Sequence, residues 1–536
     1  MNNLFLSAKY HNTTNNVVQS IPPTATDNVV QFKVNPLQAI KAAKSLGNSY
    51  TKSHSKNKKN TKSRKLTVSE AQDHNQNTRK YLYDLQKESA SILAGARVCV
   101  CSHCRANATH NVNIKATTRN VVENGKANKV TKAQIKNVFV CGDIWVCPVC
   151  AKKVFFERGR EVRKAKDLHE ERGKAVSMLT LTISHSVDDD LSMLLKGLSN
   201  ARKRLFGDRN MREVFDFYKV IGHITNTEVT HGWENGWHPH HHILMLSDYD
   251  MTQFLKDEIA VFPKYSRDGV LSYLYVNNER EKRLVRQGKS HLIEHVTFEH
   301  FLKVMWNKFC VAVGLGSTSY EHGLTLQNGE RAGEYITKFQ TALELTESMN
   351  KQGRKGNRNQ WEILHDAMMG DANSKALFKS YAQAFHGKRQ LTWSRGLKEL
   401  FKIEDVEDEV ILQADDIDEN EESEIEEIKY IDIAFGHWLV ISRNRLIPYV
   451  LNMVEKLGVY ATARYINDNF GDGCKTLVAD SFEVLRLYDR KGNLLSGGND
   501  DEKQQNAKII LKENPYPSGS PSFDFWQQKY GLFESV

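Results

Sequence analysis

The residues best suited to chemistry lie in one stretch, NTEVTHGWENGWHPHHHILML, at positions 226–246. The Asn-Gly pair at 235–236 is a strong hairpin signal, so the segments on either side should be antiparallel strands. On the second strand, the period of two places His238, His240 and His242 on one face. Two imidazoles two residues apart on a strand can bind one ion from the same side, which predicts a metal site.

Two residues of the first strand, Glu228 and His231, are candidates for the third ligand. A tight two-residue turn would place His231 opposite His240, whereas a three- or five-residue loop centred on Glu234 would place Glu228 there. The spacing leaves both registers open. We favour Glu228, because a carboxylate suits Mg²⁺ or Mn²⁺ better than a third imidazole does. The predicted catalytic metal site is therefore His240, His242 and Glu228.

A second candidate is the segment GEYITKFQ at positions 333–340. On a helix, Tyr335 and Lys338 share a face one turn apart. A phenol beside a cation can act as a nucleophile, because nearby positive charge lowers the pKa of the hydroxyl. The alternative is an ordinary packing tyrosine, so the significance of this segment depends on its combination with the histidine strand.

The cysteines are clustered, since six of the eight fall within about fifty residues. The knuckle CSHC at 101–104 is followed by CPVC at 147–150. Two such knuckles can complete a tetrahedral zinc site. The predicted structural zinc ligands are Cys101, Cys104, Cys147 and Cys150, and Cys99 or Cys141 could replace one of them. The alternative is a group of buried, redox-inert thiols.

The elements around these motifs alternate between strand and helix patterns. The segments at 176–183, 219–230 and 241–246 read as strands, and that at 298–314 as a helix. We therefore predict an α+β fold with a central antiparallel sheet and helices on one face. A Cys-rich zinc-binding unit precedes it, and a small helical unit follows.

The charge is unevenly distributed along the chain. Residues 404–427 hold fourteen acidic side chains and no Lys or Arg, so the rest of the chain carries +23 instead of the overall +9. Such a surplus favours a polyanionic partner such as nucleic acid. The acidic segment is predicted to be a linker, or a DNA mimic that competes for the basic surface. No apolar run approaches the roughly 18 residues of a membrane span, so we expect no membrane association and a cytoplasmic location.

Taken together, the motifs resemble those of rolling-circle plasmid replication initiators of the HUH endonuclease family, in the single-tyrosine type. The resemblance extends over roughly residues 95–402 and rests on five segments in order: CGDIWVCPVCAKK (141–153), MLTLTISH (178–185), EVTHGWENGWHPHHHILML (228–246), GEYITKFQTALELT (333–346) and GKRQLTWSRGLKEL (387–400).

The resemblance implies an HUH fold and a metal-dependent DNA endonuclease and strand transferase in the bacterial cytoplasm. His240 and His242 align with the metal-binding pair of the family, and Tyr335 with its catalytic tyrosine. Such an enzyme nicks one strand of plasmid origin DNA, single-stranded at the nick, and forms a 5′-phosphotyrosine while leaving a 3′-OH primer. The implied partners are origin DNA, a host helicase and a DNA polymerase.

The chain departs from the family pattern at three places, one of which is the segment 249–294 with the long tails, for which the family has no counterpart. His241 occupies the middle of the metal motif, where the family has a bulky apolar residue. Some relatives carry a glutamate one turn before the tyrosine, where this chain has Arg331 and Ala332 flanked by Glu330 and Glu334.

The resulting organisation has six parts. They are a disordered basic arm (1–75), the Cys-rich unit (76–150), an HUH nuclease domain (151–402) with an insertion (249–294), an acidic linker (403–428), a small helical unit (429–485) and a loose tail (486–536). The competing functions are another HUH nuclease such as a transposase or relaxase, a zinc-dependent DNA-binding regulator with an inactive nuclease centre, and an RNA-binding scaffold.

Overall fold

The structure is a computed structural model that describes residues 68–123, 126–329, 357–414, 425–471, 473–478, 487–488 and 494–496. The described helices are α1 (Val68–Ile92), α2 (Pro148–Glu170), α3 (Leu191–Gly207), α4 (Arg209–Phe217), α5 (Asn278–Arg286), α6 (Phe298–Val311), α7 (Gln360–Met368), α8 (Ala372–Phe385), α9 (Leu397–Leu400), α10 (Asp408–Gln413), α11 (Phe435–Arg443) and α12 (Ile447–Phe470). The described strands are β1 (Val112–Glu123), β2 (Lys126–Lys136), β3 (Ala175–Thr182), β4 (Val220–Gly232), β5 (Gly236–Ser247), β6 (Glu258–Tyr265), β7 (Leu271–Tyr275), β8 (Glu294–Thr297), β9 (Leu324–Asn328), β10 (Leu391–Trp393), β11 (Ile425–Ile433), β12 (Cys474–Val478), β13 (Leu487–Tyr488) and β14 (Leu494–Ser496).

The central sheet has five antiparallel strands in the order β10-β4-β5-β3-β9. Its middle is the hairpin that the Asn-Gly pair predicts. Gly232 pairs with Gly236, which leaves a three-residue turn. Gly236 has a φ of +69°, and a Cβ there would lie 2.8 Å from the Cα of Val187, so the turn requires glycine. This register places Glu228 opposite His240, the alternative that the sequence analysis favoured.

Different elements pack against the two faces of the central sheet. On one face, Ile243 and Met245 join a large apolar core to which α3 and α6 contribute. The other face is divided along the strands. Its apolar half, formed by Val176, Met178, Ile224, Leu244 and Leu246, packs against Val162 and Ala165 of α2. Its polar half carries the histidines.

The α+β class and the antiparallel sheet are confirmed, but the prediction of helices on one face is wrong. Helices pack on both faces because the apolar half of the histidine-bearing face also needs a cover, and α2 supplies it. The polar half of that face is the part where His240 and Glu228 retain partial solvent exposure.

The Cys-rich region and the C-terminal region share a second sheet, in the order β12-β11-β1-β2. Its core combines Ile114 of β1 with Ile431 of β11, Trp438 of α11 and Val454 of α12. The Trp438 indole also donates to the Ser102 carbonyl at 3.2 Å. These two regions, predicted from the sequence as separate units, share one core. Strand β11 begins within the predicted linker (403–428), which also contains α10.

The predicted insertion (249–294) contains most of a three-stranded sheet, β7-β6-β8, together with α5. The Asn210 side chain of α4 anchors it, because its amide donates to the Tyr273 carbonyl at 2.9 Å and its oxygen accepts from the Tyr275 N–H. Among the described helices of the whole chain, none combines the length and apolarity needed to cross a membrane.

Candidate functional site

The polar half of the central sheet brings together Glu228, His240 and His242, which we call the carboxylate–histidine trio. The Nε2 atoms of both imidazoles lie 2.8 Å from the same Glu228 oxygen, Oε2. Ligand atoms bound at ~2.1 Å to an octahedral ion are ~3 Å apart, so the spacing of the trio fits one divalent cation. The sheet itself fixes this geometry, because Glu228 and His240 are directly paired on β4 and β5.

Hydrogen bonds orient both imidazoles. The Nδ1 atom of His242 lies 3.1 Å from the hydroxyl of Thr180, its partner on β3. The Nδ1 atom of His240 lies 3.4 Å from the His238 carbonyl. When Nδ1–H donates in both cases, the lone pair of each Nε2 is free for a metal, and metal-bound histidines usually donate their other ring N–H to such an oxygen. Sequence reasoning did not identify Thr180, although its alternation within β3 places it on the same face.

Electrostatics favour a bound cation. Burial by itself would raise the pKa of Glu228, but the neighbouring His240 and His242 lower it to about 2. Burial in turn lowers the pKa of His240, and the Glu228 carboxylate outweighs this and raises it. The Glu228 carboxylate is therefore held ionised, and its negative charge favours the protonated form of His240. A divalent ion would replace the proton among these three atoms.

The side chains of the trio keep some contact with solvent, with exposed fractions of 13% for Glu228, 15% for His240 and 9% for His242. Three protein ligands on one side of an ion leave other coordination positions open. Catalytic metal sites have this character, since substrate or water must reach the ion.

The other histidines of the motif lie elsewhere. His238 shares the face of His240, but its ring packs against that of His185, with 4.6 Å between centroids and a tilt of 36°. Burial and the nearby His240 lower the pKa of His238 to about 4. His231 pairs with Trp237 on β5, and its odd spacing from Glu228 places it on the opposite face.

His241, the departure in the middle of the metal motif, points away from the trio. It is buried on the α3 side of the sheet, where its Nδ1 lies 3.1 Å from the Thr227 hydroxyl. Burial, with Arg202 nearby, lowers its pKa to about 3, so the ring is neutral. A neutral, buried imidazole thus takes the place of the apolar side chain.

The predicted nucleophile Tyr335 and its neighbour Lys338 lie outside the described residues, as do Glu330, Arg331, Ala332 and Glu334. Their roles remain predictions.

The second cluster consists of four buried thiols, Cys101, Cys141, Cys147 and Cys150. The Sγ of Cys150 lies 3.6 Å from those of Cys101 and Cys141, and the Sγ of Cys147 lies 3.8 Å from that of Cys101. Zinc–sulfur bonds of ~2.3 Å in a tetrahedron require sulfur atoms ~3.8 Å apart, so the four thiols fit a zinc ion.

This set differs from the predicted one at a single position, because Cys141 stands where Cys104 was expected. The chain pairs antiparallel here, with the Phe139 N–H bonded to the Cys104 carbonyl and the Cys141 N–H directed at the Cys101 sulfur, 3.4 Å away. This pairing brings Cys141 beside Cys101 and leaves Cys104 outside the cluster. Burial raises the pKa of Cys104 to about 11. From the sequence, Cys141 was expected only as a possible substitute.

The cluster is placed at the start of α2. Cys147 caps this helix and Cys150 lies in its first turn, where backbone N–H groups favour negative charge. The Gln86 amide also donates to the Cys147 sulfur at 3.3 Å. Hydrogen bonds from Cys141, Cys147 and Cys150 lower the pKa of Cys101, which favours the thiolate form that binds zinc.

Comparison with known proteins adds independent information. Residues 132–257 match the replication protein family, a range that contains three of the clustered cysteines and the whole trio. The protein called "Protein rep" from Streptomyces lividans is 24% identical over 333 residues, which cover 52% of this chain and 66% of that protein. The "Neomycin resistance protein" from Streptomyces cyanogenus is 31% identical over 130 residues, covering 20% of this chain and 30% of that protein.

The matched part spans less than two thirds of the length of either relative. No solved structure matches the chain. The family match and the "Protein rep" relative confirm the resemblance to plasmid replication initiators that the sequence motifs indicated.

Proposed function

We propose that this protein is a rolling-circle replication initiator with an HUH endonuclease fold that nicks one strand at a plasmid origin. The observation that carries the proposal is the carboxylate–histidine trio, in which two imidazoles and a carboxylate converge on adjacent antiparallel strands. The family match over the same strands supports it.

His240, His242 and Glu228 would hold the catalytic ion, Mg²⁺ or Mn²⁺. When bound, such an ion polarises the scissile phosphate and helps to orient it for in-line attack. The residues of the chain provide the rest: the Glu228 carboxylate stays ionised, and Thr180 and the His238 carbonyl keep both Nε2 atoms turned inward. The partly exposed side of the trio is where the substrate strand enters.

Tyr335 is the proposed nucleophile. Its phenol loses a proton, its oxygen forms a bond to phosphorus, and the bond between phosphorus and the 3′ oxygen breaks. The leaving oxygen takes up a proton and becomes the 3′-OH primer, while the 5′ phosphate remains on the tyrosine. The energy of the broken ester is kept in the phosphotyrosine, so neither ATP nor another co-reactant is needed. Lys338 would stabilise the developing negative charge.

The length of the chain permits this role. The Gly329 N–H donates to the Val176 carbonyl at 3.0 Å, and Val176 lies four residues before Thr180, the partner of His242. Gly329 and His242 are therefore four residues apart along the strands and two strands apart across the sheet. Together these offsets correspond to a distance on the order of 16 Å. Tyr335 is six residues beyond Gly329, and six extended residues span up to ~21 Å.

The cysteine cluster and the basic charge of the chain are also consistent with this proposal. The four clustered cysteines would bind a structural zinc ion. The partners would be origin DNA, single-stranded at the nick, together with a host helicase and a DNA polymerase in the bacterial cytoplasm. The basic excess of the chain outside residues 404–427 suits the DNA partner.

The test is incubation of the full-length protein with end-labelled single-stranded origin DNA and Mn²⁺, followed by denaturing electrophoresis. We expect a nicked product and a covalent protein–DNA adduct. Tyr335→Phe should abolish both while DNA binding remains. The matched control is Tyr265→Phe, which removes the hydroxyl of an exposed tyrosine in the insertion and should change nothing.

Two outcomes would reject the proposal. Nicking by the Tyr335→Phe variant would show that the nucleophile is another residue. DNA binding without any nicking by the unmodified protein would favour the alternative of a zinc-dependent DNA-binding regulator.

A further inference from the structure

One tryptophan is exposed among those that the structure describes. Trp233 lies in the turn of the β4–β5 hairpin with 55% of its surface accessible. By contrast, five other tryptophans are buried in the core, at positions 145, 237, 306, 361 and 438. Burying an indole is strongly favourable, so Trp233 contributes little to folding for its size.

Arg358 supports the indole from one side. The centre of its guanidinium lies 4.1 Å from the ring centroid of Trp233, a cation–π contact. The same guanidinium donates to Asp366 at 2.6 Å and to the Ser374 hydroxyl at 2.8 Å.

The backbone holds this pair in place. Arg358 exchanges two hydrogen bonds with His231 on β4, at 2.8 and 2.9 Å. The base of the turn is also crowded, because a Cβ on Gly232 would collide with the Asn357 side chain. The exposed indole is therefore fixed on a rigid support and is not a loose surface side chain.

The position of Trp233 relates it to the trio. It follows Glu228 by five residues along β4 and its turn, which corresponds to ~16 Å of extended chain. Its ring lies 6.2 Å from that of His231, centroid to centroid, so the indole stands at the end of the hairpin towards the face opposite the trio. A DNA strand whose phosphate lies at the trio would reach the indole by passing around the hairpin turn, within a few nucleotides.

We propose that Trp233, backed by Arg358, stacks on an unpaired base of the substrate strand a few nucleotides from the nick site. The choice of ligand rests on the proposed function, which brings single-stranded DNA to the trio. Exposed aromatic side chains paired with arginine are typical platforms for unpaired bases, since every base offers a π face. Glu234 lies in the turn, and Asp188 follows Val187, which contacts Gly236, so the acidic side chains here favour a neutral base over a phosphate as the group at the indole.

The experiment measures binding of the full-length protein, in buffer without Mg²⁺ or Mn²⁺, to a fluorescent single-stranded origin oligonucleotide and to its duplex. We expect Trp233→Ala to weaken single-strand binding by about 5- to 150-fold, the range of one lost base stack, and to leave duplex binding unchanged. Trp233→Phe should retain most of the affinity. The matched control is Tyr265→Ala, an exposed aromatic residue of the insertion.

A second measurement identifies the contact even if Trp233→Ala is unstable. Abasic positions are moved one at a time along the oligonucleotide, and each is tested with the unmodified protein and with Trp233→Phe. At one position, base removal should weaken binding by the unmodified protein more than binding by the variant. Equal effects at every position, or unchanged single-strand affinity of the alanine variant, would overturn the stacking role.

The two proposals fail separately. Stacking can hold in a protein that never nicks, and nicking by Tyr335 can hold in a protein whose Trp233 variants bind normally. Binding of duplex and single strand that is weakened equally by Trp233→Ala would also reject base stacking.

Discussion

The two candidate metal centres differ in burial, in ligand type and in the arrangement of their ligands. The four cysteines are almost fully buried, surround a point from all sides and supply only sulfur. The carboxylate–histidine trio uses one oxygen and two nitrogens, lies on one sheet face and keeps partial exposure. A closed tetrahedral site stabilises structure, whereas an open site with harder ligands leaves room for a substrate. The comparison predicts that removing the first ion damages the fold and removing the second damages only the reaction.

The largest expected effect comes from the cysteine cluster. Cys150→Ser should release zinc and unfold the region around β1, β2 and the start of α2, because binding of structural zinc contributes on the order of 10 kcal/mol. Zinc content by atomic absorption and thermal unfolding by circular dichroism measure the two consequences. Zinc loss without a change in the unfolding temperature would remove the distinction between the centres.

A matched pair of variants tests the identity of the fourth cysteine. Cys141→Ser should lose zinc, whereas Cys104→Ser should retain it, because only Cys141 lies with the other three thiols. The opposite pattern would support the set that the knuckle spacing suggested.

The next effect concerns the trio. His240→Ala should reduce nicking by at least about 100-fold, because the ion would lose one of its three protein ligands. Zinc content should equal that of the unmodified protein, and the unfolding temperature should fall far less than in Cys150→Ser. Nicking assays with Mn²⁺, together with calorimetric titration of the ion, measure the loss. The control is His322→Ala, which changes an exposed histidine outside the trio.

Most of the central sheet and most residues of the two clusters could be predicted from the sequence. The features that could not be predicted have physical causes. Alternation placed His240 and His242 on one face, but only the three-residue turn decided between Glu228 and His231. Loop length in a hairpin depends on backbone packing, here the contact of Gly236 with Val187, which composition does not reveal.

Pairing between distant segments was the hardest feature to predict. Cys141 joins the cluster through a short antiparallel contact rather than through a CxxC knuckle. Likewise, β11 pairs with β1 although about three hundred residues separate them, so the acidic segment at 404–427 concealed the start of a strand. Local patterns carry no signal for such contacts.

A smaller effect is expected from pH when the trio holds no ion. The lowered pKa of Glu228 stabilises the fold above pH ~4.5, and this contribution is lost as the pH falls towards 2. The raised pKa of His240 stabilises it below pH ~6.5, and this contribution is lost as the pH rises through the raised value. The pair should therefore stabilise the protein most between these limits.

Glu228→Gln provides the measurement. In protein that retains zinc but is prepared without Mg²⁺ or Mn²⁺, the unfolding free energy should fall by about 1–3 kcal/mol at pH 5.5, and by less at pH 9. If the loss of unfolding free energy grew with pH instead, ionised Glu228 and protonated His240 would not stabilise each other.

The smallest effect should come from Thr180, which touches the trio only through a hydrogen bond to Nδ1 of His242. Thr180→Val keeps the shape and the strand propensity but removes the hydroxyl, so the ring loses one constraint on its tautomer and orientation. We expect affinity for Mn²⁺ to fall about 10-fold, as is typical when a partner of a metal-bound histidine is lost. The control is Thr325→Val, at the position paired with Thr180 on β9, one strand further from His242. Equal losses in the two variants would mean that the hydroxyl supports the sheet and not the imidazole, and the ordered Nε2 of His242 would then need another explanation.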